Sequence, residues 1–210
     1  MPSIFSGLVR ALTWADFPRQ QEKAPAADVT ATAAFTSMSF AFSLPSVQAA
    51  TGTGAAGFRL ADNLTVKPVF TTGASFVKSW VFARPAKEQT DLLAHEQGHY
   101  NITALIARDY FVDVMLLKAQ SFPTAQAGLD AVGAVQKGTL DKVQSVHDLY
   151  DADLGPEQDD GETSGPIQKS WNANIQLAFT QPRAPSTAAP DGVLHKVRLI
   201  DVLNRGSKRI

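Results

Sequence analysis

The spacing of apolar residues changes character along the chain. From Ala33 to Leu44, Phe35, Met38, Phe40 and Phe42 fall in rough two-residue steps among Ser, Thr and Ala, the period of a half-buried strand. Leu64–Thr72 and Ser75–Ala83 carry the same chemistry and predict two further strands, joined by a hairpin turn at Thr72–Gly73. Pro68 places the first of them at a sheet edge, because proline cannot donate to a ladder. Residues 50–57, rich in Gly, Ala and Thr, predict a turn. After Pro85 the period lengthens: Leu92, His95, His99, Ile102, Ile106 and Tyr110 recur at three- and four-residue steps. Glu88, Thr90 and Asp91 lie near the start of this run, where acids and capping residues favour a helix, and the predicted span is about 87–118.

Ser121-Phe122-Pro123-Thr124 reads as a turn ending in an N-cap. A second helix follows over about 125–149, with Leu129, Val132, Val135 or Gln136, Leu140, Val143, His147 and Tyr150 as its inward stripe. The short link makes the two helices antiparallel neighbours. Residues 168–179 predict a third helix, and Val193–Leu203 a last strand, followed by a basic tail. Residues 1–30 therefore read as an N-terminal extension, 31–180 as the main domain, and 181–210 as a linker with a C-terminal strand or tail.

Composition narrows the function classes. With 44% hydrophobic and 19% charged residues in 210, a real core is affordable. A formal net charge of -1 gives no electrostatic footprint for nucleic acid, and no apolar run is long enough to span a bilayer. There is no cysteine, which excludes disulfides, thiolate nucleophiles and Cys-ligated zinc. Met1–Trp14 makes a poor secretory signal, since Arg10 interrupts its apolar stretch and no small-x-small cleavage site closes it.

Against this background His95-Glu96-Gln97-Gly98-His99 stands out as H-E-x-x-H on a predicted helix. Residues four apart share a helix face, so His95 and His99 can hold one zinc ion from the same side. Glu96 is then placed to serve as general base toward a zinc-activated water. Catalytic zinc takes a third protein ligand and keeps one position open. A metzincin arrangement fails, because Ile102 and Leu105 stand where Gly and His are needed. The second helix has no Glu for a gluzincin arrangement, and Asp141, in Gly138-Thr139-Leu140-Asp141, lies off its inward stripe.

Two antiparallel helices of equal rise joined near residue 120 set 95–99 against roughly 142–146. His147 lies within a turn of that window and is the favoured third ligand; Asp151, one turn on, is the alternative ligand or an acceptor behind a ligand histidine. Tyr150 is a candidate for stabilising an oxyanion, with a core-edge tyrosine as its plainer role. His195 is expected at the surface, and the acidic stretch 151–166 as a solvated loop.

Leu92-Leu93-Ala94-His95-Glu96-Gln97-Gly98-His99-Tyr100-Asn101-Ile102 closely resembles the L-L-x-H-E-Q-G-H-[FY]-x-I core of DUF922, a bacterial family described as predicted secreted zinc-dependent proteases. Trp80, Tyr150-Asp151 and the Gly165-x-x-Gln168-x-x-Trp171 segment resemble further elements of that family. Family members often carry a histidine before the last glycine; here Ser164 precedes Gly165, so that histidine has no counterpart. The resemblance implies a secreted or periplasmic peptidase.

The sequence thus predicts an α+β, zincin-like domain: a small antiparallel sheet beside a long H-E-x-x-H helix and an antiparallel second helix. Its sheet edge would receive an extended peptide or protein substrate. The expected activity is zinc-dependent peptide hydrolysis. The alternative is a non-catalytic zinc-binding or envelope-associated interaction domain on the same scaffold.

Overall fold

A computed structural model describes residues 3–24, 32–51, 56–154, 164–181 and 196–205. Among these residues, eight short strands and four helices make an α+β fold. The strands are β1 (Ile4–Phe5), β2 (Arg19–Gln20), β3 (Ala34–Phe35), β4 (Met38–Ser43), β5 (Val47–Ala49), β6 (Phe58–Leu60), β7 (Thr65–Phe70) and β8 (Phe76–Lys78). The helices are α1 (Ala86–Leu117), α2 (Ala125–Leu154), α3 (Ser164–Thr180) and α4 (Leu199–Arg205).

The strands form three small sheets, in the orders β1-β7-β4, β2-β8-β3 and β5-β6. The first two are mixed: β1 runs parallel to β7 and β2 parallel to β8, whereas β4 and β3 run antiparallel to the same partners. This corrects three expectations. The sheet is not one antiparallel unit. β7 and β8 do not pair as a hairpin, because the turn between them folds on itself: the buried Ser75 hydroxyl donates to the Thr71 carbonyl at 2.9 Å and accepts the Ser37 amide at 2.9 Å. Pro68 lies on the central strand of its sheet, tolerated because β1 pairs only with Thr65 and Val66 and has left before the proline is reached. The strand expected to run to residue 83 stops at Lys78 and becomes a 3-10 turn, Ser79–Ala83, that buries Trp80 and Val81.

Residues 3–24, expected as an extension, are woven into the fold. Ile4 and Phe5 join β7, Arg19 and Gln20 join β8, and Leu12 and Phe17 are buried. At the other end, 199–205 is a helix where a strand was expected; Leu199, Val202 and Leu203 are its buried residues, at helical spacing. His195 and most of the acidic stretch lie outside the described residues.

Helix α1 is the spine. Every residue from Ile102 to Val112 is buried, because β4 and β7 cover one side while α2, α3 and α4 cover the others. Tyr110 packs on Phe40 and Phe42 of β4, and Ile102, Leu105 and Ile106 share a core with Val146, Tyr150, Trp171 and Leu203. Arg108 is fully buried in that half. Its guanidinium donates to Asp109 at 3.0 and 2.5 Å, to the Ala178 carbonyl at 2.6 Å and to the Val197 carbonyl at 2.9 Å. Asp109 also accepts the Leu199 amide at 3.0 Å. One ion pair on α1 thus pins the end of α3 and the start of α4.

Helix α2 begins where the sequence placed its cap, with Thr124 Oγ1 accepting the Ala127 amide at 3.1 Å. Gly57, at φ +84°, lets β6 dock on the α1–α2 link, where Phe58 and Phe122 exchange both backbone hydrogen bonds at 2.8 Å. A Cβ at Gly57 would strike the Phe122 carbonyl oxygen. The helix runs one turn further than predicted, to Leu154, and so carries Asp151 on its last turn. Among the described residues no helix is long and apolar enough to cross a membrane.

Candidate metal centre

Two i,i+4 pairs meet where α1 and α2 cross: His95 and His99 on α1, His147 and Asp151 on α2. His95 Nε2 and His99 Nε2 lie 3.1 Å apart. Asp151 Oδ1 lies 3.4 Å from the first and 3.0 Å from the second. Ligand atoms about 2.0–2.1 Å from a tetrahedral zinc are about 3.3 Å from one another. The three donors therefore outline one face of a coordination tetrahedron of zinc's size. They are the group among the described residues that could hold a metal ion, and three donors leave a fourth position open. The histidine side chains are only 12% exposed, while Asp151 is 53% exposed, so the centre opens toward the end of α2.

Burial alone would push the Asp151 carboxyl up, but hydrogen bonds from His95 and His99 hold it well below the usual carboxylate range. It is an anion facing two imidazoles, a donor set that suits a divalent cation.

His147, the favoured third ligand, does not present a nitrogen to this face. Its Nδ1 lies 2.8 Å from His99 Nδ1, on the far side of that ring from the centre, and its Nε2 lies 2.9 Å from Thr103 Oγ1. Burial and the neighbouring His99 lower its pKa to about 4, so it is neutral near pH 7. The reason for the exchange with Asp151 is register. Equal rise from residue 120 set 95–99 against 142–146; the observed partners are 147 and 151, a slip of five residues. Tyr150 fixes the slip. Its ring stacks on His95 with centroids 5.0 Å apart, and its hydroxyl sits against Gly98, where a Cβ would collide with it.

The Tyr150 hydroxyl points into the protein, not toward an oxyanion. It lies 3.1 Å from the His95 carbonyl and 3.1 Å from Gln168 Oε1, and burial raises its pKa far above that of a free phenol. Trp171 meets the same ring edge-on at 5.1 Å and donates its indole N–H to Asp153 at 2.9 Å. Tyr150 is thus a buttress between α3 and the helix that carries His95 and His99, the plainer of its two expected roles.

Glu96 is 1% exposed, and neither carboxylate oxygen has a hydrogen-bond partner among the described residues. Burial raises its pKa and outweighs the opposing pull of His99 and His95. The nearby Thr36 hydroxyl also opposes the rise, without making a well-formed hydrogen bond to the carboxylate. Glu96 shares its helix stripe with Leu92 and Tyr100, which pack with Ala33, Ala34, Val77 and Trp80. Buried polar groups are normally paired, so an orphaned carboxylate beside three converging donors marks a place where a ligand or water belongs.

The remaining residue of the motif works on the opposite side of α1. Gln97 accepts the Leu12 amide at 2.7 Å and donates to the Arg10 carbonyl at 2.9 Å and to Asn101 at 3.0 Å, while Tyr100 donates to the Gly7 carbonyl at 2.7 Å. Residues 7–12 are thereby strapped along the helix that carries His95 and His99. Sequence reasoning missed Gln97, Thr36, Thr103 and the contact role of Gly98. Only Gly98 carried a local signal: a glycine inside a helix costs about 1 kcal/mol against alanine and points to a close approach.

No protein-family model, no curated protein and no solved structure matches this chain.

Proposed function

We propose that this protein is a zinc-dependent hydrolase, a metallopeptidase in which His95, His99 and Asp151 hold the metal and Glu96 is the general base. The observation that carries this reading is the three-donor face with one open position, set beside a buried carboxylate that has no hydrogen-bond partner among the described residues. The resemblance of residues 92–102 to the DUF922 core supports the same assignment.

When bound, zinc supplies a Lewis acid and acidifies a water. Glu96 would be the residue that accepts a proton at Oε and returns it to the leaving amine. Burial suits this carboxylate to the work, since a raised pKa makes it a stronger base and water has little access to it. The side chains of His95 and His99 are held by Tyr150 on one side and His147 on the other, so the donors are positioned before the metal arrives.

The test is peptide hydrolysis by zinc-reconstituted wild type and Glu96→Gln, scored by mass spectrometry on a mixed peptide pool. Cleavage by wild type, reduced about 10²- to 10⁴-fold in a Glu96→Gln variant that keeps its zinc, is the expected result. Zinc-loaded wild type that cleaves nothing, or a variant as active as wild type, would contradict it.

A further inference from the structure

We infer that His147 and Thr103 form a tautomer-fixing relay that sets how tightly His99 binds its metal. The inference rests on the metal reading above and adds to it two residues that touch neither metal nor substrate.

His99 turns Nε2 toward His95 Nε2 and Asp151 Oδ1, at 3.1 and 3.0 Å, and Nδ1 toward His147. A neutral imidazole that ligates through Nε2 carries its one hydrogen on Nδ1. That hydrogen must then be donated to His147 Nδ1, 2.8 Å away. His147 accepts at Nδ1 only as the Nε2–H tautomer. Its Nε2–H in turn needs an acceptor, and Thr103 Oγ1 lies 2.9 Å away, on the same face of α1 as His99. Each hydrogen position follows from the one before it, and the chain has one consistent direction, from metal ligand to threonine.

The surroundings support that direction. A ring carrying hydrogens on both nitrogens would present N–H to N–H at His99, 2.8 Å away, so the contact requires an acceptor at His147 Nδ1. Thr103 is fully buried, so no bulk water competes for His147 Nε2. An imidazole ligand whose second nitrogen donates to a fixed acceptor is both oriented and made more basic, and loss of such a partner typically weakens metal binding about 10- to 100-fold.

His147→Phe keeps a ring in the same space but leaves the His99 N–H without an acceptor. His147→Asn has less bulk but restores an acceptor oxygen near the Nδ1 position. Thr103→Val removes the far end of the chain at constant shape. Zinc dissociation constants, measured by competition with a chromophoric chelator, should rise about 10- to 100-fold in His147→Phe, less in Thr103→Val, and return toward wild type in His147→Asn. In zinc-loaded wild type, NMR of the ring protons should show a hydrogen-bonded N–H at His99 Nδ1 that is lost in His147→Phe. A merely space-filling histidine predicts the reverse order, with Phe closer to wild type than Asn. Wild type that binds zinc tightly while His147→Phe binds it equally well would overturn this inference alone. Wild type that takes up no zinc would overturn the metal reading, and this inference with it. Should His147→Phe fail to fold, the Thr103→Val and His147→Asn constants decide the matter.

Discussion

Helix α1 buries two carboxyl groups thirteen residues apart, Glu96 and Asp109, and treats them in opposite ways. Burial raises both, Asp109 to about 6. Asp109 is then compensated: one oxygen takes two hydrogen bonds from Arg108 and the other takes the Leu199 amide. Glu96 has no such partner among the described residues. The half of the helix that holds the fold satisfies its charge; the half that faces the donor cluster leaves it unspent. A buried ion pair is weak evidence of stability and strong evidence of a fixed arrangement, whereas an orphaned carboxylate is a standing cost that function explains better than folding does.

The two halves should respond oppositely to substitution. Arg108→Ala leaves a charge buried without its partner and should cost about 3–5 kcal/mol, enough to abolish cooperative unfolding in a marginal domain. Glu96→Gln should leave stability unchanged or raise it by about 1 kcal/mol, since a neutral amide costs less to bury than an unpaired carboxylate. Thermal and urea denaturation of both variants checks the contrast, and a Glu96→Gln as unstable as Arg108→Ala would break it.

Gly98→Ala is the next largest effect. The added methyl meets the Tyr150 hydroxyl, so α2 must shift or Tyr150 must turn, at about 1–3 kcal/mol. Because Tyr150 fixes the register of Asp151, zinc affinity should fall as well, by more than stability alone would explain; chelator competition reads the difference. Tyr150→Phe, in contrast, relieves nothing and removes only a hydrogen bond to the His95 carbonyl and Gln168, so about 1 kcal/mol should go and zinc should stay.

The smallest effect lies far from both halves. Asp62 accepts from Lys118 at the end of α1, at 2.7 Å, and from the Ser3 amide at 3.1 Å, and these contacts lower its pKa to about 2. A depressed carboxylate contributes above its unfolded pKa of about 3.9 and loses that contribution as pH falls toward 2. Asp62 is 53% exposed, so Asp62→Asn should cost well under about 1 kcal/mol near pH 7, and the cost should fade as pH falls through 2.

The same contrast explains what the sequence could and could not tell. The donor pair His95 and His99 was legible because a helix puts residues four apart on one face. The span of α1 and the Thr124 cap were legible for similar local reasons. What the sequence did not contain was non-local. The choice between His147 and Asp151 turned on a five-residue slip fixed by Tyr150 against Gly98, which helix rise alone does not contain. Val197 and Leu199 fit a two-residue alternation, yet the 199–205 segment is a helix docked by Arg108 and Asp109 from the middle of the chain. The weaving of residues 3–24 into two sheets depends on Gln97 and Tyr100, whose partners lie more than eighty positions away.

The most direct measurement is zinc per chain, after reconstitution at saturating metal and gel filtration, in wild type, Asp151→Ala, His147→Ala and Glu96→Gln. The account predicts one zinc in wild type and Glu96→Gln, one in His147→Ala though more loosely held, and little in Asp151→Ala. Zinc kept in Asp151→Ala and lost in His147→Ala would contradict it and make this a three-histidine centre.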